Sequence, residues 1–438
     1  MSAKTVVRNV LLIVSVLVAS PSAAEDVVLF SYFENNGNSG VYLAYSTDGR
    51  TFLPLNNGNV VFTPPQWPNN QVLTRDPSIV FQDGLFHMVW TSDWSGRVFG
   101  YASSPDLVSW STPLQVTPFP VTLPTIDQPI NTWAPEIHYD HVQGHFEIVF
   151  SSTTPRERDD GDGSTGSDYS NNDHRLYSVR TTDFVTFTPA AKVYDHDYSV
   201  IDGHVLFDDR ETPTESDDRW IMAIKREQAV SQGGKNIRFM FNNPDRTAGW
   251  TTATAPVLGP GSPIRSSEHV EGPSMVRYNG EWLLYADAYT AGHYSLISSP
   301  DLVRWTDETA SLTIPGSNIH HGTMFVVDRD LVGWRFGARS DLDDDGLLDP
   351  DDWLIFLAHH LADLSGLTPL ERALAGDLDG DGDNDYYDFR LFRLDYIAAH
   401  GAGAFTALLG VPEPSAALLA ALAATSSLLG CRRARPRR

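Results

Sequence analysis

Along the chain, a polar or charged residue followed by a short apolar run recurs five times, first as Arg75-Asp76-Pro77-Ser78-Ile79-Val80-Phe81. The later copies are Trp133-Ala134-Pro135-Glu136-Ile137-His138-Tyr139, Ile201-Asp202-Gly203-His204-Val205-Leu206-Phe207, Val270-Glu271-Gly272-Pro273-Ser274-Met275-Val276 and His320-His321-Gly322-Thr323-Met324-Phe325-Val326. Units of roughly 40–70 residues built from short strands cannot bury their faces alone, and such a period predicts a propeller with one blade per unit. The fold class expected is therefore mainly β, a five-bladed β-propeller. In that reading Asp76, Glu136, Asp202, Glu271 and His321 occupy equivalent places near the start of each innermost strand and converge on one central cavity.

A second repeat marks the other end of each unit. Its copies are Ser46-Thr47-Asp48 with Phe52, Ser104-Pro105-Asp106 with Trp110, Thr181-Thr182-Asp183 with Phe187, Asn243-Pro244-Asp245 with Trp250, and Ser299-Pro300-Asp301 with Trp305. Asp and Ser side chains close tight turns on their own backbone, and the aromatic that follows suits an outer strand packed on the next blade. Near the N-terminus, β-branched and aromatic residues over 27–33 and 41–46 flank an Asn35-Asn36-Gly37-Asn38 turn, a hairpin that opens the first sheet. That sheet has no inner strand of its own, so residues 321–327 are expected to supply it and to close the ring, leaving no exposed sheet edge. Two stretches break the regularity, 155–173 and 211–218; both are polar, without periodicity, and read as loops.

Charge and composition narrow the picture. The 438 residues carry a net charge of −25, which argues against nucleic acid as a partner, and Cys431 is the single cysteine, which excludes an intrachain disulfide framework. Residues 1–24 combine Lys4 and Arg8, an apolar run from Val10 to Val18 and small residues at Ser22-Ala23-Ala24, the pattern of an export leader; an uncleaved anchor is the alternative. The propeller is assigned to residues 25–335.

Residues 341–395 hold 16 acidic against 3 basic side chains. Asp341, Asp343, Asp345, Asp349 and Asp352 stand at positions 1, 3, 5, 9 and 12 of a loop with Gly346 at 6, and Asp377, Asp379, Asp381, Asp385 and Asp388 repeat the spacing around Gly382. That is the ligand pattern of an EF-hand calcium loop, and each copy leads into an amphipathic helix, over 353–361 and 386–399. Twin loops of this kind resemble a dockerin, so residues 336–402 are read as a small all-α calcium-binding module, with a cohesin-like partner as a possibility the resemblance raises. After Val411-Pro412-Glu413-Pro414, an apolar stretch from Ala416 to Gly430 ends in five arginines. Residues 411–438 thus resemble a PEP-CTERM sorting signal, which implies a sorting protease, a short membrane helix with its basic end in the cytoplasm, and a place in the envelope of a Gram-negative-type bacterium. A plain C-terminal anchor is the alternative.

Taken together, Arg75-Asp76-Pro77, Trp133-Ala134-Pro135, Ile201-Asp202, Glu271-Gly272-Pro273 and His321-Gly322-Thr323 resemble the five-bladed propellers of glycoside hydrolase family 43 and its relatives, over about residues 27–330. The resemblance implies an inverting glycosidase of the arabinofuranosidase or xylosidase class acting on polysaccharide side chains or oligosaccharides. Asp76 then matches the general base, Glu271 the general acid, and Asp202 a third carboxylate that keeps Glu271 protonated and oriented. Inverting enzymes hold acid and base roughly 6.5–9.5 Å apart so that a water fits between base and sugar. Trp133 and Glu136 are assigned to substrate binding, and His321 to the neighbourhood of a channel metal ion, often calcium, or of a water cluster; a bonded core histidine is the plain alternative. Gly203 stands where the family more often has proline, and Glu136 where it often has aspartate. No organic cofactor is expected. A carbohydrate-binding propeller without turnover, or a related five-bladed glycosidase with another sugar, would use the same framework.

Overall fold

The computed structural model describes residues 26–156, 173–195, 198–210, 217–229, 231, 233–331, 339–343, 347–367, 369–378 and 381–409. The leader, the 411–438 tail, Asp345 and Asp379, and most of the two polar loops lie outside the described residues.

The first sheet contains β1 (Asp26–Glu34), β2 (Val41–Ser46) and β3 (Leu53–Pro54); the second contains β4 (Arg75–Gln82), β5 (Leu85–Thr91), β6 (Phe99–Ser104) and β7 (Leu114–Val116). The third is β8 (Trp133–Asp140), β9 (His145–Ser152), β10 (Arg175–Thr181) and β11 (Ala191–Tyr194), and the fourth β12 (Val200–Asp208), β13 (Arg219–Arg226) and β14 (Asn236–Asn242). The fifth is β15 (Glu271–Tyr278), β16 (Glu281–Ala288), β17 (His293–Ser299) and β18 (Thr306–Asp307). The last strand, β19 (Ile319–Asp328), returns to the first sheet and pairs antiparallel with β1 from Asp26↔Asp328 to Glu34↔Ile319. The two ends of the propeller thus share one blade, and every inner strand is the first of its antiparallel sheet except this closing one.

Hydrophobic burial is organised between blades rather than within them. One apolar cluster joins blades one and two through Leu29, Ile79 and Trp90; the corresponding clusters fill the gaps between blades two and three, three and four, four and five, and five and one. Twisted sheets are apolar on both faces here because each face meets a neighbour. Close approach is the rule: a Cβ on Gly100 would meet the Trp90 ring at 2.0 Å.

The turn repeat is built identically in four blades and closely in the other. Asp48, Asp106, Asp183 and Asp301 each accept from two backbone N–H groups downstream, at 2.7–3.0 Å, while the Ser or Thr two residues earlier bonds the same carboxylate. In blade four Asp245 accepts from Thr247 N at 3.1 Å, and Asn243 replaces the hydroxyl. The residue after each Asp is left-handed: Gly49, Leu107, Phe184, Arg246 and Leu302, with φ between 54° and 70°. One expectation is corrected. Phe52, Trp110, Phe187, Trp250 and Trp305 pack into the gap with the preceding blade, not the next.

Beyond the propeller come α1 (Pro350–His359), α2 (Pro369–Leu374), α3 (Tyr386–His400) and α4 (Ala402–Leu408), around a small core of Leu342, Trp353, Phe356, Phe392, Tyr396 and Phe405. The loops before α1 and α3 repeat each other bond for bond. Leu342 N donates to Asp352 Oδ1 and Leu378 N to Asp388 Oδ1, while Asp349 N and Asp385 N donate to Asp352 Oδ2 and Asp388 Oδ2, both at 2.7 Å. Among the described residues no helix is long and apolar enough to cross a membrane.

Candidate active site

Every inner strand begins with the same irregularity. Three residues on the inner strand span two on its partner, between Arg75 and Ser78, Trp133 and Glu136, Ile201 and His204, Glu271 and Ser274, and His320 and Thr323. This is a β-bulge, which locally twists a strand and re-aims a side chain. In four of the five the second bulge residue is left-handed: Asp76, Ala134, Asp202 and Gly272, with φ of 46–56°. Aspartate tolerates that region better than most residues. Gly272 is required on a second ground, since a Cβ there would meet the His321 ring at 2.4 Å.

The bulge corrects the sequence alignment of the five repeats. Asp76, Asp202 and His321 are equivalent, together with Ala134 and Gly272. Glu271 sits one residue earlier, at the place of Arg75, and Glu136 two residues later, at the place of Ser78. The backbone N–H groups freed by the bulges bond to the preceding blade: Ala134 N to Thr91 Oγ1 at 2.7 Å, Asp202 N to Ser151 Oγ at 3.0 Å, and Gly272 N to Asp202 Oδ2 at 3.0 Å. Adjacent blades are therefore locked together at the residues that carry the chemistry.

A cavity of about 320 Å³ opens at this end of the channel, lined by Asp76, Asp202, Glu271, His321, Trp94, Trp133, Lys225 and Tyr289 among others. Glu136 does not line it. Its carboxylate lies buried in the channel wall, accepting from Ser78 Oγ at 2.7 Å and Thr323 Oγ1 at 3.0 Å, with His204 Nδ1 at 3.4 Å and His321 Nε2 at 3.9 Å. Glu136 is thus an internal anchor, not the substrate contact expected of it, because the bulge points position four of the repeat along the channel below the mouth. Burial works to raise its pKa, but the two imidazoles outweigh that and bring it down to about 2.

His321 stands above this anchor, with Nδ1 3.5 Å from Asp76 Oδ1 and 4.0 Å from Asp202 Oδ1. Burial opposes its charge, yet the carboxylates of Asp202, Glu136 and Asp76 carry its pKa up to about 10. This makes the ring a positive centre among the channel carboxylates at neutral pH. Among the described residues no group of three ligand atoms converges around it.

Asp202 is fully buried, and burial pushes its carboxyl up to about 6 over the pull of His321 and Lys225. Glu271, 26% exposed at the side chain, moves the other way: burial would raise it, but the Lys225 ammonium 2.8 Å from Oε2 holds it below the usual carboxylate range. Lys225 is itself buried, its Nζ also 2.7 Å from Glu227, which in turn pairs with Lys235. As pH falls, this acidic pair therefore takes up its first proton on Asp202 rather than on Glu271 in the free site.

On the opposite wall the Arg75 guanidinium lies 4.0 Å over the Trp94 ring, and Trp133 stacks on His174 and meets Trp94 edge-on. Trp94 is 53% exposed. An exposed indole in a polar cavity is a platform for the apolar face of a sugar ring. Sequence reasoning passed over Trp94, Tyr289 and Lys225. Lys225 was legible in part, as the first of two cations, Lys225-Arg226, after the apolar run Trp220–Ile224, but which carboxylate it meets depends on blade packing.

In the acidic segment, Asp341, Asp343 and Asp352 bring ligand oxygens within 4.8 Å of one another, and so do Asp381, Asp383 and Asp388. Asp383 joins the second group unpredicted. Asp349 and Asp385 serve instead as helix N-caps, accepting from Asp351 N and Tyr387 N. Asp377 Oδ2 accepts from Gly382 N at 3.1 Å. The converging, purely carboxylate sets suit a hard dication such as Ca²⁺.

A five-bladed propeller with a carboxyl-lined cavity at one end of its channel defines a class of carbohydrate-active proteins. The chain belongs to the family 43-related glycosyl hydrolases: residues 26–331 match the model of that family, described as a probable glycosyl hydrolase domain, and its class of reaction is hydrolysis of O-glycosyl bonds. Among solved structures it is similar to a thermostable family-43 glycoside hydrolase (17% identity over 53% of this chain and 71% of that one, TM-score 0.38). It is also similar to an α-L-arabinofuranosidase from Lactobacillus brevis (17%, 54% and 72%, TM-score 0.40) and an endo-arabinase from Bacteroides thetaiotaomicron (15%, 56% and 82%, TM-score 0.39). No curated protein matches the chain.

Proposed function

We propose that the propeller is an inverting glycosidase in which Asp76 is the general base and Glu271 the general acid. Asp76 takes a proton from a water that attacks the anomeric carbon, the bond to the leaving oxygen breaks, and Glu271 gives its proton to that oxygen; the product sugar has the opposite anomeric configuration. Asp202, the more readily protonated of the two, stands beside Glu271 and accepts from the N–H of the very next residue, Gly272. Entry of substrate expels water from around Glu271, which favours its neutral form; Glu271 takes up a proton from the neighbouring Asp202 carboxyl or from solvent and donates it to the leaving oxygen. The observation that carries this reading is the convergence of Asp76, Asp202 and Glu271 on one cavity with an exposed tryptophan. The substrate proposed is an arabinofuranosyl- or xylosyl-bearing polysaccharide or oligosaccharide.

A carbohydrate-binding propeller without turnover is the second reading, favoured by one observation: a Glu271 held charged by Lys225 has no proton to give. Hydrolysis of a panel of 4-nitrophenyl pentosides and plant or algal polysaccharides by the full chain separates the two. Turnover with inversion seen by NMR, lost about 10²-fold or more in Glu271→Gln and Asp76→Asn, supports catalysis. Binding without turnover, unchanged in both variants, overturns it.

The rest of the chain completes the proposal. Residues 336–402 would form a dockerin-like calcium module, with Asp341, Asp343 and Asp352, and Asp381, Asp383 and Asp388, holding the ions; a cohesin-like protein is its proposed partner. Residues 1–24 would direct export, and 411–438 would anchor the protein transiently at the envelope until a sorting protease removes the tail.

A further inference from the structure

A second cavity, of about 440 Å³, opens between blades five and one beside the central one. Tyr289 lines both cavities. Asp287 forms its wall and is the direct cross-strand partner of Glu271. None of its lining residues belongs to blade two, the blade that carries Asp76. It therefore lies beside the strand pair that carries Glu271.

Its chemistry is that of a sugar pocket. The volume falls within the roughly 300–1,000 Å³ of small-ligand sites. His320 Nδ1 lies 3.1 Å from Asp287 Oδ2, with the imidazole 26% exposed, so one ring nitrogen is left to face the cavity. Arg265 is neutralised by Asp307 and Glu268, both at 3.0 Å. With Arg265 held by two carboxylates, and His293 Nε2 3.3 Å from Glu268, the cavity offers no free guanidinium to recruit a phosphate, sulfate or uronate. Leu312, Ile314 and Ile319 add an apolar side. Hydroxyl-bonding groups beside an apolar wall, with no free guanidinium, fit a neutral sugar ring.

We propose that this cavity is the leaving-group subsite, which receives the neutral sugar released when the bond is cut, with Tyr289 marking the boundary and Glu271 facing the oxygen that departs. This rests on the assignment of Glu271 as proton donor. An acid must contact the leaving oxygen, so the leaving group lies on the acid's side of the scissile bond.

The test uses the full chain and two kinds of probe: arabino- and xylo-oligosaccharides, and the 4-nitrophenyl glycoside of whichever sugar the wild type cleaves. Ala310 lies at the exposed rim, where Ala310→Trp would fill the cavity without touching a buried side chain. The expected result is a fall of about tenfold or more in kcat/KM on the oligosaccharide with little change on the aryl glycoside. His320→Asn, which keeps a polar partner for Asp287, should likewise lose more on the oligosaccharide than on the aryl glycoside. Equal losses on both probes, or none on either, overturn the subsite while leaving the catalytic reading in place. A wild type that cleaves neither probe overturns the catalytic reading and the subsite with it.

Discussion

At the scale of single residues, the site is an arrangement of charges that hold one another away from their ordinary states. Lys225 is the group that separates the two carboxyls, because its ammonium pairs directly with Glu271 and Glu227 and acts on Asp202 only at longer range. Replacing it with a neutral residue removes the pull that lowers Glu271, so the donor stays protonated to higher pH. Lys225→Met is expected to move the basic limb of the kcat/KM profile upward in pH, while Lys225→Arg leaves it near its wild-type position; a limb that does not move means Glu271 is not the titrating donor. Below the cavity, Glu136 and His321 form a buried pair. His321 has its folded pKa raised from 6.5 to about 10, so the stability it contributes is complete below about pH 6.5 and is lost as pH rises toward 10. Glu136→Gln removes a buried partner and should cost about 3–5 kcal/mol at pH 6, read by thermal or denaturant melting, and should flatten the alkaline loss. Asp76, Asp202 and Glu271 were all legible as residues from the repeated strand starts. Their states were not, since a pKa depends on neighbours contributed by other blades.

At the scale of elements, the unit is an inner strand that begins with a bulge and a turn that ends the third strand. The bulge lets an aspartate be followed within two residues by a side chain buried in the channel wall, which is how Asp76 and Ser78, or Asp202 and His204, serve different levels of the channel. Sequence alignment by residue type placed Glu136 and Glu271 level with the aspartates; the hydrogen-bond register places them two residues after and one before. A bulge adds a residue without leaving a mark in composition, so only the ladder reveals it. Closure by β19 depends on close contact: a Cβ on Gly322 would come 1.9 Å from Ser31 O and 2.9 Å from the Phe30 ring. Gly322→Ala is accordingly expected to cost at least about 1–3 kcal/mol, because the closing strand must shift against β1; a melting temperature equal to that of the wild type would show that the ring closes without this contact.

For the molecule as a whole, two kinds of stability are expected. The propeller rests on five apolar seams and the bonds between its bulges, none of which needs an ion. The acidic segment crowds carboxylates within 4.8 Å of one another in two loops, an arrangement that repels itself unless a dication is held. Chelation of divalent ions is expected to remove helical signal in far-UV circular dichroism and to leave glycoside hydrolysis unchanged; retention of the helical signal would show that the two loops fold without metal. The sequence by itself determined the number of blades, the closing strand, the turn at each outer edge and the three carboxylates, because all of these are local patterns repeated at a regular interval. Tertiary structure alone decided that Glu136 is an anchor, that Lys225 meets Glu271, that the turn aromatics reach back to the preceding blade, and that a second cavity lies beside Tyr289. Each of those is a contact between blades, fixed by how neighbouring sheets twist and pack, and no periodicity along one strand encodes it.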